Sequence, residues 1–511
     1  MGGEDRKRVY DYNRQEVRQS LMAGFRKKGK EATVADLAAV SGLPLQQIEA
    51  ELPALADEYG ARLRVTDTGE ILYSFPRGMH SRYRGFKPAA AKALRAAAKG
   101  AAALGKAMFK GWIVLMLVGY FVLFIAIALF ALVASVVVQQ GGGRGRDDRR
   151  GGGLGGLWLT TRLFDSLIRI WFYSELFKPA GSSRIEGGGR PKRPLHKAVF
   201  SFVFGDGDPN QGWERVERKA VLAFLRTHKG LMSIHEFMAI TGKPPLEAEE
   251  AINSYLLEFE GSPEVSESGT LYYSFPKILA RADQVGGQGL PLRDEAGGEP
   301  ALPLKRLEAF SSNAPKADRS FRLINLANLG FGSYFLYNAL SIGAEIYVRT
   351  PRGLALRPGF GYLYAAAAHL FRMLGAADPI PGIIWGLGIV PLAFSAFFFA
   401  IPALRAIRLK RKNEVVKLEN LRRLLYGKAL EGKIGTRDMV SPIPEASPND
   451  PRAASRMARE LAAWLGSGAE PEQDGFILKE ISRVQKDMAG LRSKVDASAF
   501  GTGMAIFDTE S

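Results

Sequence analysis

The sequence predicts a mainly α-helical membrane protein, with two small winged-helix-like α+β domains in water and about four helices in or on the bilayer. Three observations predict it. Residues 112–138 carry neither charge nor proline, a 46-residue segment recurs 200 positions later, and Lys and Arg crowd the ends of the apolar runs.

Residues 1–76 are the first winged-helix-like domain, and 199–282 hold the second. Residues 31–76 align without a gap to 231–276, with 11 identities among the 46 pairs and a shared Tyr-Ser-Phe-Pro ending. A gap-free match with a common tail marks an internal duplication. Each copy opens with a helix, about 13–28 and then about 209–227. A short helix follows, starting at Thr33 or Ser233, with Asp36 or Glu236 three positions on as the capping-box acid. A turn through Gly42 or Gly242 leads to a third helix, and two strands meet across Asp67-Thr68-Gly69 or Glu267-Ser268-Gly269. Tyr73, Phe75, Tyr273 and Phe275 alternate along the last strand and belong to the core. Three helices and a terminal hairpin make the winged-helix layout.

In a DNA reader the helix after the turn enters the groove and meets phosphate with basic side chains. Here that helix carries Glu49, Glu51, Asp57 and Glu58 in the first copy, and Glu247, Glu249, Glu250, Glu258 and Glu260 in the second. No Lys or Arg lies between Pro44 and Gly60 or between Pro244 and Glu260, so the DNA backbone would repel both helices. Protein contact through Glu247, Glu249 and Glu250 is the expectation, and DNA is not an expected partner.

Residues 77–110 form a basic juxtamembrane helix, with Arg82, Arg84, Lys87, Lys92, Arg95, Lys99, Lys106 and Lys110. Residues 111–139 are long enough to span, since a crossing needs about 20 apolar residues. A Gly/Arg linker (140–153) precedes 154–178, where Arg162, Asp165 and Arg169 share a narrow polar stripe on an amphipathic or second transmembrane helix. A linker (179–198) leads to the second domain, and another (283–320) to a span at 321–348 carrying Asn325, Asn328 and Asn338. After a loop with an amphipathic helix (349–379), a last span at 380–405 opens the basic helical tail 406–511. Arg408, Lys410, Arg411 and Lys412 start that tail.

The net charge of +17 gathers near the membrane, where each Lys or Arg gains about 1 kcal/mol against anionic lipid. The expected partner is therefore an anionic bilayer. Both basic flanks, and with them the two domains and the tail, are expected on the cytoplasmic side. That requires an even number of crossings, hence four.

Val199–Gly212 reads VFSFVFGDGDPNQG. Asp206, Asp208, Asn210 and Glu217 fall at positions 1, 3, 5 and 12 of a calcium-loop pattern, but Gln211 replaces the glycine that the sharp turn needs. They are the weak metal candidates of the chain. The preferred reading makes Asp208 a helix cap and Pro209 the first helical residue. With the paired Tyr-Ser-Phe-Pro endings, this string resembles an uncharacterised family of cyanobacterial and chloroplast membrane proteins. Some plant members of that family are labelled as iron–sulfur cluster biosynthesis proteins. The chain itself has no cysteine, the usual ligand of such clusters.

No phosphate loop, Ser-His-Asp order or paired carboxylates in an apolar setting occur in the sequence. The expectation is no enzyme, no cofactor and no catalytic residue. A membrane-anchored scaffold is the first reading, a membrane-tethered DNA-binding regulator the alternative, and a transporter component built on Asn325 and Asn328 the third.

Overall fold

The computed structural model describes residues 11–28, 31–75, 100–101, 104–140, 194–280, 302–341, 347–351, 353–356, 360–435, 438, 443–495 and 505–508. The chain divides into two compact units: unit 1 from residues 1–90, 208–308 and 411–511, and unit 2 from 91–207 and 309–410. It is mostly helical, with a few small sheets.

Unit 1 begins with α1 (Arg14–Lys28), α2 (Val34–Ser41), α3 (Leu45–Tyr59), β1 (Arg62–Thr66) and β2 (Ile71–Ser74). The same order returns as α4 (Trp213–Thr227), the two-residue β3 (Leu231–Met232), α5 (Ile234–Thr241), α6 (Pro245–Glu258), β4 (Ser262–Val265) and β5 (Leu271–Ser274). Local chemistry sets the ends of the short helices. Thr33 Oγ1 accepts the Asp36 N–H at 3.0 Å, and Asp36 Oδ2 accepts the Thr33 N–H at 3.4 Å. Ser233 and Glu236 repeat the exchange at 3.3 and 2.9 Å. Gly42 (φ 72°) and Gly242 (φ 68°) end these helices in the left-handed conformation that L side chains resist.

A third set of elements follows the same plan. The end of α7 (Val390–Ala429) leads to β6 (Lys433–Gly435), α8 (Ala453–Leu465), β7 (Ala469–Glu472) and β8 (Gly475–Leu478). In its sheet the last strand lies in the middle, β6–β8–β7, as in β3–β5–β4. Gly435 N–H donates to Asp438 Oδ2 at 2.9 Å, half of the capping box seen at Thr33 and Ser233. The chain closes with α9 (Lys479–Lys494) and β9 (Ala505–Asp508), and β9 pairs antiparallel with β1. So β9 covers the outer edge of the first hairpin. The matching strand of the second hairpin, β4, holds Pro263, which withholds an N–H from an edge.

One apolar core runs through the three sets, including Leu21, Leu37 and Ile48, then Phe237, Ile252 and Phe275, then Leu425, Ile434 and Ile481. Tyr73, Tyr273 and Phe275 lie in it as expected, and Phe75 packs half-buried on Phe25 at 4.3 Å between ring centres. At about 25 cal/mol per Å² of apolar surface removed from water, this shared core is what joins the three sets.

In unit 2, two helices are long and apolar enough to cross a membrane: Leu104–Val133, with a mean hydropathy of 3.0, and Ile380–Ala429, with 2.1. Four crossings were expected. The Pro315–Leu340 helix carries Lys316, Asp318, Arg319 and Arg322 at its start and three asparagines beyond, and is too polar to join the two. It ends at Leu340, where the sequence predicted helix to 348, and Tyr347–Thr350 instead pairs with Gly353–Leu356 as a hairpin. Residues 157–177 and the glycine linkers 141–153 and 181–190 lie outside the described residues.

Both apolar helices contain π-helical turns, at Leu115–Gly119 and Ile383–Ile389. Such turns shift the backbone ladder and leave carbonyls open to other donors. Asn328 Nδ2 donates to Leu117 O at 2.8 Å, and Asn325 Nδ2 donates to Ser395 O at 3.2 Å. Both asparagines are fully buried, so they hold helices together inside this unit.

Candidate interaction surface

The helix after each turn presents one face to the core and another to solvent. In α6, Pro245, Ala248, Ile252 and Tyr255 point inward, while Leu246, Glu247, Glu249, Glu250 and Asn253 are exposed. Glu249 Oε1 accepts the Trp464 indole N–H at 3.1 Å, so one of the three acids expected to contact protein already holds a partner within unit 1.

The other acids of these helices divide in a way the sequence did not reveal. Arg218 grips Glu258 through Nε at 2.7 Å and Nη2 at 2.9 Å, and Arg18 meets Glu58 at 3.6 Å. Both partners recur at the same 200-residue offset. Buried Glu51 takes Arg18 Nε at 2.6 Å and the Tyr12 hydroxyl at 3.2 Å. Burial opposes the charge of Arg218, but Glu258 outweighs it and raises the guanidinium above its ordinary range. Glu51, Glu58 and Glu258, three of the nine acids on these helices, are therefore held in ion pairs with the first helix. The recurring Arg18/Arg218 and Glu58/Glu258 spacing was the available signal.

The turns are covered as well. A Cβ on Gly242 would lie 2.7 Å from Arg423 Cγ and 3.0 Å from Glu419 O. Arg423 donates through Nε to Ile240 O at 3.2 Å and through Nη2 to Thr241 O at 2.7 Å, and Arg422 donates to Gly242 O at 3.1 Å. In the first set, a Cβ on Gly42 would lie 3.0 Å from Arg215 O of α4. The first helix of each set thus sits on the turn of the set before it.

The GDGDPN string spans the border of the two units. In unit 2, Asp206 Oδ2 accepts the Ser201 hydroxyl at 2.6 Å and the Ser312 N–H and hydroxyl at 2.9 and 2.6 Å. Gly205 (φ 83°) leaves room for the Arg405 guanidinium, which a Cβ there would meet. In unit 1, Asp208 Oδ1 accepts the Asn210 N–H at 2.9 Å, and its other oxygen pairs with Lys412 at 2.9 Å. Lys412 first, and the Asn210 amide next, hold its carboxyl below the ordinary range. The expected cap is corrected here: Asp208 closes a turn, and α4 starts only at Trp213 behind Gly212. Pro209 precedes that start by four residues, which are taken up by turns closed by Gln211 N–H to Asp208 O at 3.3 Å and Trp213 N–H to Asn210 O at 3.0 Å.

Asn210 pairs with both backbone groups of Arg306, receiving its N–H at 2.9 Å and donating to its C=O at 2.8 Å. Asn420 does the same with Lys305 at 2.9 and 2.8 Å, and Asn413 with Glu308 at 3.0 and 2.8 Å. Three asparagines thereby treat residues 305–308 as a strand. Glu217, the last metal candidate, accepts Trp213 Nε1 at 3.3 Å and stands 3.5 Å from Arg423 Nη2. Among the described residues, no three His, Asp or Glu side chains gather as a metal-holding group.

Of the basic residues expected at a membrane surface, Arg82, Arg84, Lys87, Lys92, Arg95 and Lys99 lie outside the described residues. Lys106, Arg408, Lys410 and Arg411 are exposed. Lys110 lies over the Phe200 ring at 4.4 Å. Lys412 is drawn into unit 1 by Asp208 and by Glu308 at 2.8 Å.

No protein-family model matches the chain, and no solved structure does. The chain is similar to an uncharacterized chloroplastic protein of Arabidopsis thaliana, At5g03900, with 25% identity over 434 residues, 81% of this chain and 73% of that protein.

Proposed function

We propose that the chain is a membrane-anchored scaffold: unit 2 sits in an anionic bilayer, and unit 1 presents winged-helix-like modules to a protein partner. The carrying observation is the exposure of apolar side chains on unit 2. Trp385, Phe397, Leu404 and Leu115 are 62%, 66%, 57% and 66% exposed on the stretches 380–404 and 111–138, which carry no charge. Only 28% of the apolar window of Leu104–Val133 is buried, whereas a core helix of a soluble protein hides such a surface. The order of helices, hairpin and short third strand in unit 1 supports the winged-helix-like reading, and the covered turns speak against DNA. The exposed Lys106, Arg408, Lys410 and Arg411 fit an anionic surface.

Residues 1–90, 208–308 and 411–511 fold as one unit, so both stretches between them leave that unit and return to it. The positively charged residues that flank the apolar stretches put those flanks on the cytoplasmic side. Alkaline extraction of membranes should leave the chain in the pellet. The chain has no cysteine, so single cysteines at Asn253, Ser493 and Gly69 should all react with an impermeant maleimide from one side. Release at high pH, or reaction from opposite sides, would sink the reading. Crosslinking from Glu250 in native membranes should capture a protein and not duplex DNA.

A further inference from the structure

Three boundary charges of unit 2 converge on one short helix. Lys110 precedes the uncharged run 111–138, Arg322 is the last charge of the Pro315–Leu340 helix, and Arg405 follows the uncharged run 380–404. Lys110 lies over the Phe200 ring at 4.4 Å, Arg322 lies over the Phe202 ring at 5.5 Å, and Arg405 donates to Phe202 O at 2.9 Å. Phe200 and Phe202 belong to the ten-residue helix Leu195–Phe204. A charge that ends an apolar run marks the depth at which a membrane helix leaves the hydrocarbon. All three marks meet on this helix, which places it at one boundary of the bilayer.

Its composition suits that depth. Ala198, Val199, Phe202 and Val203 are buried in a cluster with Ile113, Leu117, Phe321 and Phe398. His196, Lys197 and Phe204 are exposed and Phe200 is half-buried, which makes a second stripe at helical spacing. The Phe204 ring lies 5.8 Å from Phe109, and Phe109 lies 6.1 Å from Trp112, both about half exposed. At about 1.5 Å per residue the helix is too short to cross a bilayer. Lys106, Lys197, Lys316, Arg319 and Arg322 are exposed around it, while Asp206 and Asp318 are taken up by Ser312 and by Ser311 and Asn313. Exposed rings beside an excess of cations match the aromatic belt beneath a layer of anionic headgroups.

We propose that Leu195–Phe204 is an interfacial helix that binds anionic phospholipid. Phe204, Phe109 and Trp112 enter the acyl boundary, and Lys106 and Lys197 pair with lipid phosphates. The proposal rests on the reading of unit 2 as embedded in a bilayer, and adds to it a third membrane contact.

The test uses the full chain, which has no cysteine, in vesicles of phosphatidylcholine and phosphatidylglycerol. Nitroxide labels are attached singly at Phe204→Cys, Leu115→Cys and Ser493→Cys, and their collisions with oxygen and with a water-soluble nickel chelate give depth. Leu115 should be deep, Ser493 in water and Phe204 between them. A deep Leu115 with Phe204 as water-exposed as Ser493 overturns the interfacial helix and leaves the membrane reading standing. A Leu115 as water-exposed as Ser493 overturns both. If Phe204→Cys fails to fold, Lys197→Cys, on the same exposed stripe, takes its place under the same criteria. Native mass spectrometry from detergent should show phosphatidylglycerol retained over phosphatidylcholine, and Lys106→Gln with Lys197→Gln should reduce the retained phosphatidylglycerol about tenfold. Equal retention of the two lipids, or unchanged retention by the double variant, overturns the anionic-lipid assignment.

Discussion

Arg226 Nη2 donates to Asp36 Oδ1 at 3.0 Å, joining the first helix of the second module to the capping acid of the first. Asp36 is fully buried, and Arg226 also donates to Ile278 O at 3.0 Å and Ala280 O at 3.2 Å. The device recurs one module later, where Arg492 of α9 donates to the capping acid Glu236 at 2.7 Å. A single carboxylate in each of the first two modules therefore caps the start of a helix and receives an arginine from a later stretch of chain. Arg226→Met strands a buried carboxylate, and the expected loss is about 3–5 kcal/mol. Chemical denaturation of the full chain checks it; a loss below about 1 kcal/mol would show that the pair is not needed.

The asparagine clamps predict a different kind of defect. Asn420 is fully buried and makes three backbone bonds, two to Lys305 and one to Glu445 O at 2.9 Å. Asn420→Ala leaves those groups unpaired and should cost about 2–3 kcal/mol. Residues 302–308 should then become the first site of limited proteolysis, which mass spectrometry of the fragments would reveal.

Gly242 and Gly269 separate two reasons for glycine. Both are left-handed, but a Cβ on Gly269 meets open space while one on Gly242 meets Arg423 and Glu419. Gly269→Ala should cost about 1–2 kcal/mol from backbone strain alone. Gly242→Ala should add about 1–3 kcal/mol for overpacking. Equal melting temperatures for the two variants would contradict the close docking of α7 on that turn.

His235 predicts an acid-sensitive stability. Its folded pKa of about 4, set by burial, lies below the ordinary 6.5, so the unfolded chain takes up the proton first as pH falls. The folded state should lose up to roughly 3 kcal/mol between pH about 6.5 and about 4. His235→Ala should flatten that part of the profile. Asp487, held down to about 2 chiefly by the hydroxyls of Ser268 and Ser266, shifts in the same direction, and its contribution is lost only as pH falls below about 4. The two windows are thus distinguishable in urea melts across pH.

The capping boxes at Thr33 and Ser233, the turns at Gly42 and Gly242 and the hairpins were legible because each is decided within four residues of chain. The long uncharged run at 112–138 was legible because hydropathy is additive along a helix. The start of α4 was misread, since Gly212 takes the left-handed conformation and the residues from Asp208 to Trp213 fold as turns. The third set of elements escaped notice because only Gly435 and Asp438 retain the capping pattern.

The sequence by itself determined the periodicities, the duplicated helix ends, the acid on the third helices and the position of the apolar runs. Tertiary structure alone decided which arginine takes which acid, that β9 closes the first hairpin, that a later helix covers each turn, and that Lys110, Arg322 and Arg405 meet on one short helix. The first group rests on interactions between near neighbours, whose geometry a helix or turn fixes in advance. The second rests on contacts between residues tens to hundreds of positions apart, where the shared core of unit 1 selects one arrangement from many that composition alone would allow.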